Sequence, residues 1–307
     1  MIPATPATRP KLPPLLRALR PSQWTKNGVV LVAYFFARWD PSQNTHTTGW
    51  LPLLLAAGAA VAFCALSSAV YLVNDIHDRT TDRLHPQKRF RPIASGELSI
   101  TSASIVAAIL AASATIASFA ITGELGMLAL LYLLLQAAYT WSLRSIPLVD
   151  TFIIAAGFVI RAIAGAAAID VRISPWLLLC AFLLALFLAL CKRRHEKNLS
   201  DNINGQTRGS LDGYDARVLD QAIAVVSAAT VVSYALYTLS EETVSRFGTN
   251  RLGLTIPFVL FGILRYIDLV YRNQQGGRPE KVLLTDRVLI VTIILYGLTA
   301  FIVFQLG

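Results

Sequence analysis

The sequence predicts an all-α integral membrane protein, with nine transmembrane helices around a central cavity capped by two cytoplasmic loops. Three observations carry this. Of the 307 residues, 55% are hydrophobic and only 15% charged, where a soluble domain averages about 25% charged. The mean hydropathy is +0.56. Apolar segments of spanning length recur along the whole chain, and the basic residues between them are one-sided.

A spanning helix needs roughly 20 mostly apolar residues. In chain order the candidates are 21–39, 50–73, 99–123, 125–143, 145–169, 173–191, 221–240, 252–271 and 288–307. Six carry no charge. The fifth contains Asp150 and Arg161, and the eighth contains Arg265 and Asp268. The first is short: its uncharged core, 27–37, gives about 17 Å of α-helix. It spans only with Lys26 at membrane depth, snorkelling or lining a cavity. Residues 1–20 are Pro-rich and basic, without the apolar core of a signal peptide. They read as a disordered tail ahead of a single catalytic domain over 21–307.

The net charge is +9, from 27 Lys+Arg against 18 Asp+Glu. Nine helices put 21 of the 27 basic residues on the side of the N-terminus and four (Arg38, Arg172, Arg246, Arg251) on the other, with Arg161 and Arg265 inside helices. By the positive-inside rule the N-terminus is cytoplasmic in the plasma membrane. Topology thus explains much of the charge, and nucleic acid is not needed. All five Trp fall at predicted helix ends, as interfacial anchors do. The three cysteines have no disulfide or zinc spacing.

Two long connections, 75–98 and 192–220, open on the cytoplasmic face. The first begins Asn74-Asp75-Ile76-His77-Asp78-Arg79-Thr80-Thr81-Asp82, directly after an apolar helix. If that helix continues, Asp75, Asp78 and Asp82 share one face. Three carboxylates there repel unless a cation sits among them, and hard oxygen ligands suit magnesium bridged to substrate phosphates. His77 is off the stripe and reads as a surface residue. Next comes Lys88-Arg89-Phe90-Arg91-Pro92-Ile93, three cations suited to a diphosphate. An ordinary positive-inside loop is the plainer reading of the same residues.

The second connection starts Lys192-Arg193-Arg194-His195-Glu196 and later gives Asp212-Gly213-Tyr214-Asp215 and Asp220. Lys192, Arg193 and Glu196 meet across a helical turn and read as a second polar wall, for phosphate or a second metal. His195 reads as a surface residue. Intramembrane charges are functional candidates by default. Arg161 has no acid within helical reach, whereas Arg265 has Asp268 three residues on, a pair able to satisfy itself. Asp286-Arg287 reads as a capping pair or a site pair. No Walker A loop, HExxH, GxSxG elbow or CxxC is present.

These residues resemble a known family. Asn74-Asp75-x-x-Asp78-x-x-x-Asp82 matches the first aspartate motif of the UbiA-type intramembrane prenyltransferase superfamily. Further strings are similar to its branch of phosphoribosyltransferases acting on a polyprenyl (decaprenyl) phosphate: Leu19-Arg20-Pro21-x-Gln23-Trp24-x-Lys26-Asn27, Lys88-Arg89-Phe90-Arg91-Pro92, Ile160-Arg161-Ala162-Ile163-Ala164-Gly165, Lys192-Arg193-x-x-Glu196 and Asp286-Arg287. Members acting on aromatic acceptors carry a second compact Asp-x-x-x-Asp motif. Here Asp212, Asp215 and Asp220 stand at other spacings, which weakens a prenyl-diphosphate reading.

The resemblance implies transfer of 5-phosphoribose from phosphoribosyl pyrophosphate to the lipid phosphate, releasing pyrophosphate, for cell-wall arabinan precursors. It implies Mg2+ held by Asn74, Asp75, Asp78, Asp82 and Glu196, with Asp75, Asp78 and Lys26 as the catalytic groups. Phosphates fall to Lys88, Arg89, Arg91, Arg161, Lys192, Arg193 and Tyr214. An anionic phosphate nucleophile needs no strong base, which suits a site without a catalytic His or Ser. Homo-oligomers are compatible with it. The competing readings are prenyl transfer to an aromatic acceptor and a non-enzymatic transporter or lipid-binding protein.

Overall fold

The computed structural model describes residues 12–202, 213–272, 277 and 279–306, which are helical with no strand among them. Eight helices are long and apolar enough to cross a membrane, against the nine expected. Seven lie within α3 (Leu51–His77), α6 (Ile100–Ile121), α7 (Gly123–Trp141), α8 (Val149–Ala168), α9 (Pro175–Asn202), α10 (Ala216–Leu239) and α14 (Arg287–Leu306), and the other joins a 3-10 helix (Arg251–Thr255) to α12 (Ile256–Arg272).

The ninth candidate is helical but irregular. A 3-10 helix runs over Pro21–Leu31 and hands over to α2 (Val32–Trp39). The tighter winding rises about 2.0 Å per residue against 1.5 Å for an α-helix. The two pieces therefore reach about 34 Å, against a hydrocarbon core of about 30 Å. As α-helix throughout, the same residues would reach about 28.5 Å, so the 3-10 winding of Pro21–Leu31 adds about 5.5 Å.

The expected disordered tail also stops earlier than residue 20. Helix α1 (Pro14–Leu19) packs Ala18 into the core, and residues 1–11 lie outside the described chain. Arg20 follows in the left-handed region at φ 55°, a costly conformation for a non-glycine residue. Trp24 Nε1 donates to Ser68 Oγ at 3.0 Å, and Ser68 Oγ donates to the Leu19 carbonyl at 3.0 Å. These bonds fasten the turn to α3.

Packing follows small residues, as it must where lipid supplies no hydrophobic drive between helices. Ala56, Ala59 and Ala62 of α3, Ala103, Ala107 and Ala114 of α6, and Ala164 and Ala168 of α8 are buried. One core gathers Val30, Phe63, Leu66, Tyr132 and Ile160; another gathers Phe187, Leu190, Leu219, Ile223, Tyr266 and Leu289. Large apolar side chains such as Ile109, Ile116, Val291 and Leu298 stay exposed on the outside of the bundle, where the bilayer is the solvent.

The first long connection folds as α4 (Arg79–Leu84), a 3-10 turn (Lys88–Phe90) and α5 (Pro92–Ser95), and Gly96 at φ 85° turns the chain towards α6. In the second, α9 continues past Cys191 to Asn202, so Lys192, Arg193 and Glu196 are helical. α11 (Glu241–Phe247) and α13 (Pro279–Thr285) complete the short helices.

Candidate active site

Helix α3 ends at His77, Asp78 sits at the break (φ −86°, ψ 2°), and α4 starts at once. The three aspartates therefore stay nearly in helical register and turn inward. Asp75, Asp78 and Asp82 are 2%, 5% and 3% exposed. Such burial costs several kcal/mol per ion unless the charge is paired. Arginines from three distant segments supply the pairing. Arg91 Nη1 bridges Asp82 at 2.6 Å and Asp75 at 3.1 Å. Arg20 donates to Asp75, with its guanidinium over the Tyr71 ring at 4.9 Å. Burial lowers the Arg20 pKa from its ordinary value, with Asp75 opposing. Arg144 Nη1 donates to Asp78 at 2.6 Å.

His77 is exposed, as expected of a surface residue, yet it touches the cluster. Its Nδ1 lies 3.3 Å from Asp78 Oδ1 and 3.2 Å from Arg144 Nη2. Asn74 Oδ1 accepts from the Thr140 hydroxyl.

A second buried network faces the end of α7. Arg193 is 4% exposed. Its Nε donates to Asp150 Oδ2 at 2.6 Å, its Nη1 to Glu196, and its Nη2 to the Tyr139 hydroxyl at 3.3 Å. Lys192 Nζ lies 3.9 Å from Glu196. The Tyr214 hydroxyl donates to Asp150 and accepts the Leu148 N–H at 2.6 Å. Burial, then the bond to Asp150, pushes the Tyr214 hydroxyl pKa up. Adjacent residues Tyr139 and Thr140 each touch one network, so the end of α7 joins them.

The sequence-predicted residues thus divide. Asn74, Asp75, Asp78, Asp82 and Arg91 come together at one site. Arg193, Glu196, Lys192 and Tyr214 assemble around Asp150, where Glu196 binds basic side chains and Tyr214 anchors the start of α8. Lys26 is half-buried on the 3-10 segment, Lys88 is half-buried, and Arg89 is exposed, with its guanidinium 4.9 Å from the Phe90 ring centre. Arg161 is bound to Asn27, Gly157 and Tyr132. Arg265 pairs with Asp268 at 3.1 Å and Asp286 at 2.9 Å, which holds the Asp286 carboxyl below its usual range. Asp215 caps α10 and Asp220 pairs with Arg194 at 2.6 Å. Asp212 lies outside the described residues.

Among the described residues no three acidic, histidine or cysteine side chains converge as a metal cage. The donor chemistry nevertheless fits a divalent cation. Three buried carboxylates and an amide oxygen lie along one stripe, each carboxylate already on a cationic partner that an anionic ligand could draw away.

Sequence reasoning gave no role to Arg20, Asn27, Tyr132, Tyr139, Thr140 or Arg144. Arg20 and Asn27 stand in the 19–27 string that resembles the family. Asp150 was visible as a charge in a helix. Arg144 is one cation at a helix end, with no local signal.

Residues 30–204 match the UbiA prenyltransferase family. The chain is 36% identical over 279 residues to a decaprenyl-phosphate phosphoribosyltransferase of Corynebacterium glutamicum, covering 90% of this chain and 82% of that one. It is 35% identical over 286 residues to the Mycolicibacterium smegmatis protein of the same name, covering 90% and 87%. Among solved structures, a UbiA homolog from Archaeoglobus fulgidus bound to DMAPP and Mg2+ superposes with a TM-score of 0.69 at 18% identity, covering 95% of this chain and 99% of that one. A digeranylgeranylglyceryl phosphate synthase gives 0.65 at 15% identity, covering 92% and 95%.

Proposed function

The chain belongs to the UbiA prenyltransferase family, and from that premise we propose that it transfers 5-phosphoribose from phosphoribosyl pyrophosphate to a polyprenyl phosphate in the membrane. The observation that carries the reading is the 34–36% identity, over about 90% of the chain, to proteins named for that acceptor and transfer. The polar ends of the helices support it. Two buried ionic networks meet at α7, one joining three carboxylates to three guanidinium groups and the other centred on Arg193 with Lys192 beside it, cations of the kind that bind phosphorylated substrates.

In the proposed reaction a lipid phosphate oxygen bonds to the anomeric carbon. The bond from that carbon to pyrophosphate breaks, and its electron pair leaves with pyrophosphate. Asn74, Asp75, Asp78 and Asp82 would hold Mg2+, whose bound charge offsets that of the leaving pyrophosphate. Arg20, Arg91 and Arg144 release their carboxylates and take up phosphate oxygens. Lys26 meets the acceptor phosphate, arriving from the bilayer beside the 3-10 segment. No residue need remove a proton from an acceptor already ionised near neutral pH, so positioning and charge neutralisation are the protein's work. In this reading the network faces the cytoplasm, from which the charged substrate enters, and the product is an arabinan precursor of the cell wall.

Prenyl transfer to an aromatic acceptor is less well supported. Asp215 and Asp220 do not have the spacing of a compact Asp-x-x-x-Asp motif; one caps α10 and the other pairs with Arg194. The test is release of labelled pyrophosphate from phosphoribosyl pyrophosphate by the purified protein with magnesium. Release that depends on added polyprenyl phosphate is expected, and no dependence on the lipid would refute the proposal.

A further inference from the structure

Arg161 sits in the middle of α8, 7% exposed, and no carboxylate among the described residues is within ion-pair distance. Neutral groups hold it. Nε donates to Asn27 Oδ1 at 2.7 Å, Nη1 to the Gly157 carbonyl at 2.8 Å and Nη2 to the Tyr132 hydroxyl at 2.8 Å. The guanidinium carbon lies 4.7 Å from the Tyr132 ring centre. A cation buried at membrane depth without a counterion is costly. Here its planar fork is engaged on three different elements.

The connection continues through Asn27. Its Nδ2 donates to Ser67 Oγ at 3.1 Å and Cys64 Sγ at 3.3 Å, both on α3. One turn further along α8, Gly165 lies so close to the 3-10 segment that an added Cβ would land on the Val30 carbonyl oxygen. The segment is therefore gripped at Asn27 and at Val30, one 3-10 turn apart, between α3 and α8. Such grips are needed. A 3-10 helix has poor hydrogen-bond geometry and seldom exceeds three or four residues, yet this one runs for 11. Relaxation to α-helix would shorten it and shift every side chain it carries.

Lys26 is the residue next to the grip. We propose that Arg161 is a positioning residue that, through Asn27, holds the overwound Pro21–Leu31 segment in register and so sets the depth at which Lys26 meets the acceptor phosphate. This rests on the assignment of Lys26 given above. Arg161 acts by its fork and Asn27 by its amide, so an uncharged residue matters as much as the charged one.

The test uses the full-length protein in phosphatidylcholine vesicles, with Cys180 and Cys191 replaced by Ala so that Cys64 is the only thiol. Asn27→Ala and Arg161→Lys should each raise the KM for polyprenyl phosphate about tenfold, leaving that for phosphoribosyl pyrophosphate within about twofold. The double variant should be no worse than either single one, since both break one connection. Both should speed maleimide alkylation of Cys64, which the segment covers, whereas Lys26→Gln should raise the acceptor KM without changing Cys64 reactivity. Asn27→Ala with an unchanged acceptor KM beside a large Arg161→Lys effect would overturn the proposal, because Arg161 would then bind phosphate directly. Additive effects would overturn it too. Were the wild type inactive in phosphoribosyl transfer, the functional reading would fail, and unchanged Cys64 reactivity would separately refute the grip.

Discussion

Arg144 Nη1 lies 2.6 Å from Asp78 Oδ1, across 66 residues of sequence. This contact completes the charge balance of the acidic cluster: Arg20 and Arg91 serve Asp75, Arg91 also serves Asp82, and Arg144 serves Asp78. Three carboxylates face three guanidinium groups, so the cluster has little net attraction for a bare cation.

A divalent metal alone should therefore bind weakly and bind much better with a diphosphate that draws the arginines away. Counting free Mn2+ by electron paramagnetic resonance, with and without inorganic pyrophosphate, should show at least about tenfold tightening. Arg144→Gln should move the two values in opposite directions, raising affinity for Mn2+ alone and shrinking the gain from pyrophosphate. A purely structural Arg144 would weaken both.

Asp75→Asn and Asp78→Asn should each lower phosphoribosyl transfer by about 100-fold or more while eluting as folded protein in detergent. The measurement is initial rate with purified variants at saturating substrates. Near-wild-type rates would remove these aspartates from the reaction.

Tyr214→Phe should destabilise more than it inactivates. The hydroxyl joins buried Asp150 to the Leu148 N–H, and Leu148 holds φ 67° at the start of α8. An unmade buried hydrogen bond costs about 1–3 kcal/mol. Thermal unfolding in detergent should show a lower midpoint, with substantial transfer remaining below it. An unchanged midpoint with lost transfer would make Tyr214 a substrate ligand instead.

Gly165→Ala should disturb the 3-10 segment, because the added methyl group meets backbone oxygen rather than a yielding side chain. Overpacking of this kind costs about 1–3 kcal/mol. Alanine at Gly262, where nothing stands within 4 Å, is the control and should be neutral or stabilising. Equal behaviour of the two variants would contradict the close approach at Val30.

Most of the fold is legible in composition, because eight runs of about 20 apolar residues leave few alternatives to spanning helices. The first segment is not. Its uncharged core is too short as an α-helix, and nothing in Pro21–Leu31 announces 3-10 winding, which Arg161 and Gly165 support from more than 130 residues away. The aspartate stripe is legible from spacing alone, since its register survives the break at Asp78. Its partners are not: Arg20 reads as a disordered tail and Arg144 as a positive-inside charge until the helix ends converge. Arg193 and Glu196 are legible as a pair at helical spacing, but Asp150, which orients Arg193, comes from another helix.

The most direct test of the central claim is to incubate the purified protein with ribose-labelled phosphoribosyl pyrophosphate, polyprenyl phosphate and magnesium, and to follow the label into the lipid phase. Label should appear in a polyprenyl-linked phosphoribose, with one pyrophosphate released for each lipid phosphate consumed, and should vanish in Asp75→Asn. Absence of labelled lipid from a folded, magnesium-supplied protein would contradict the account.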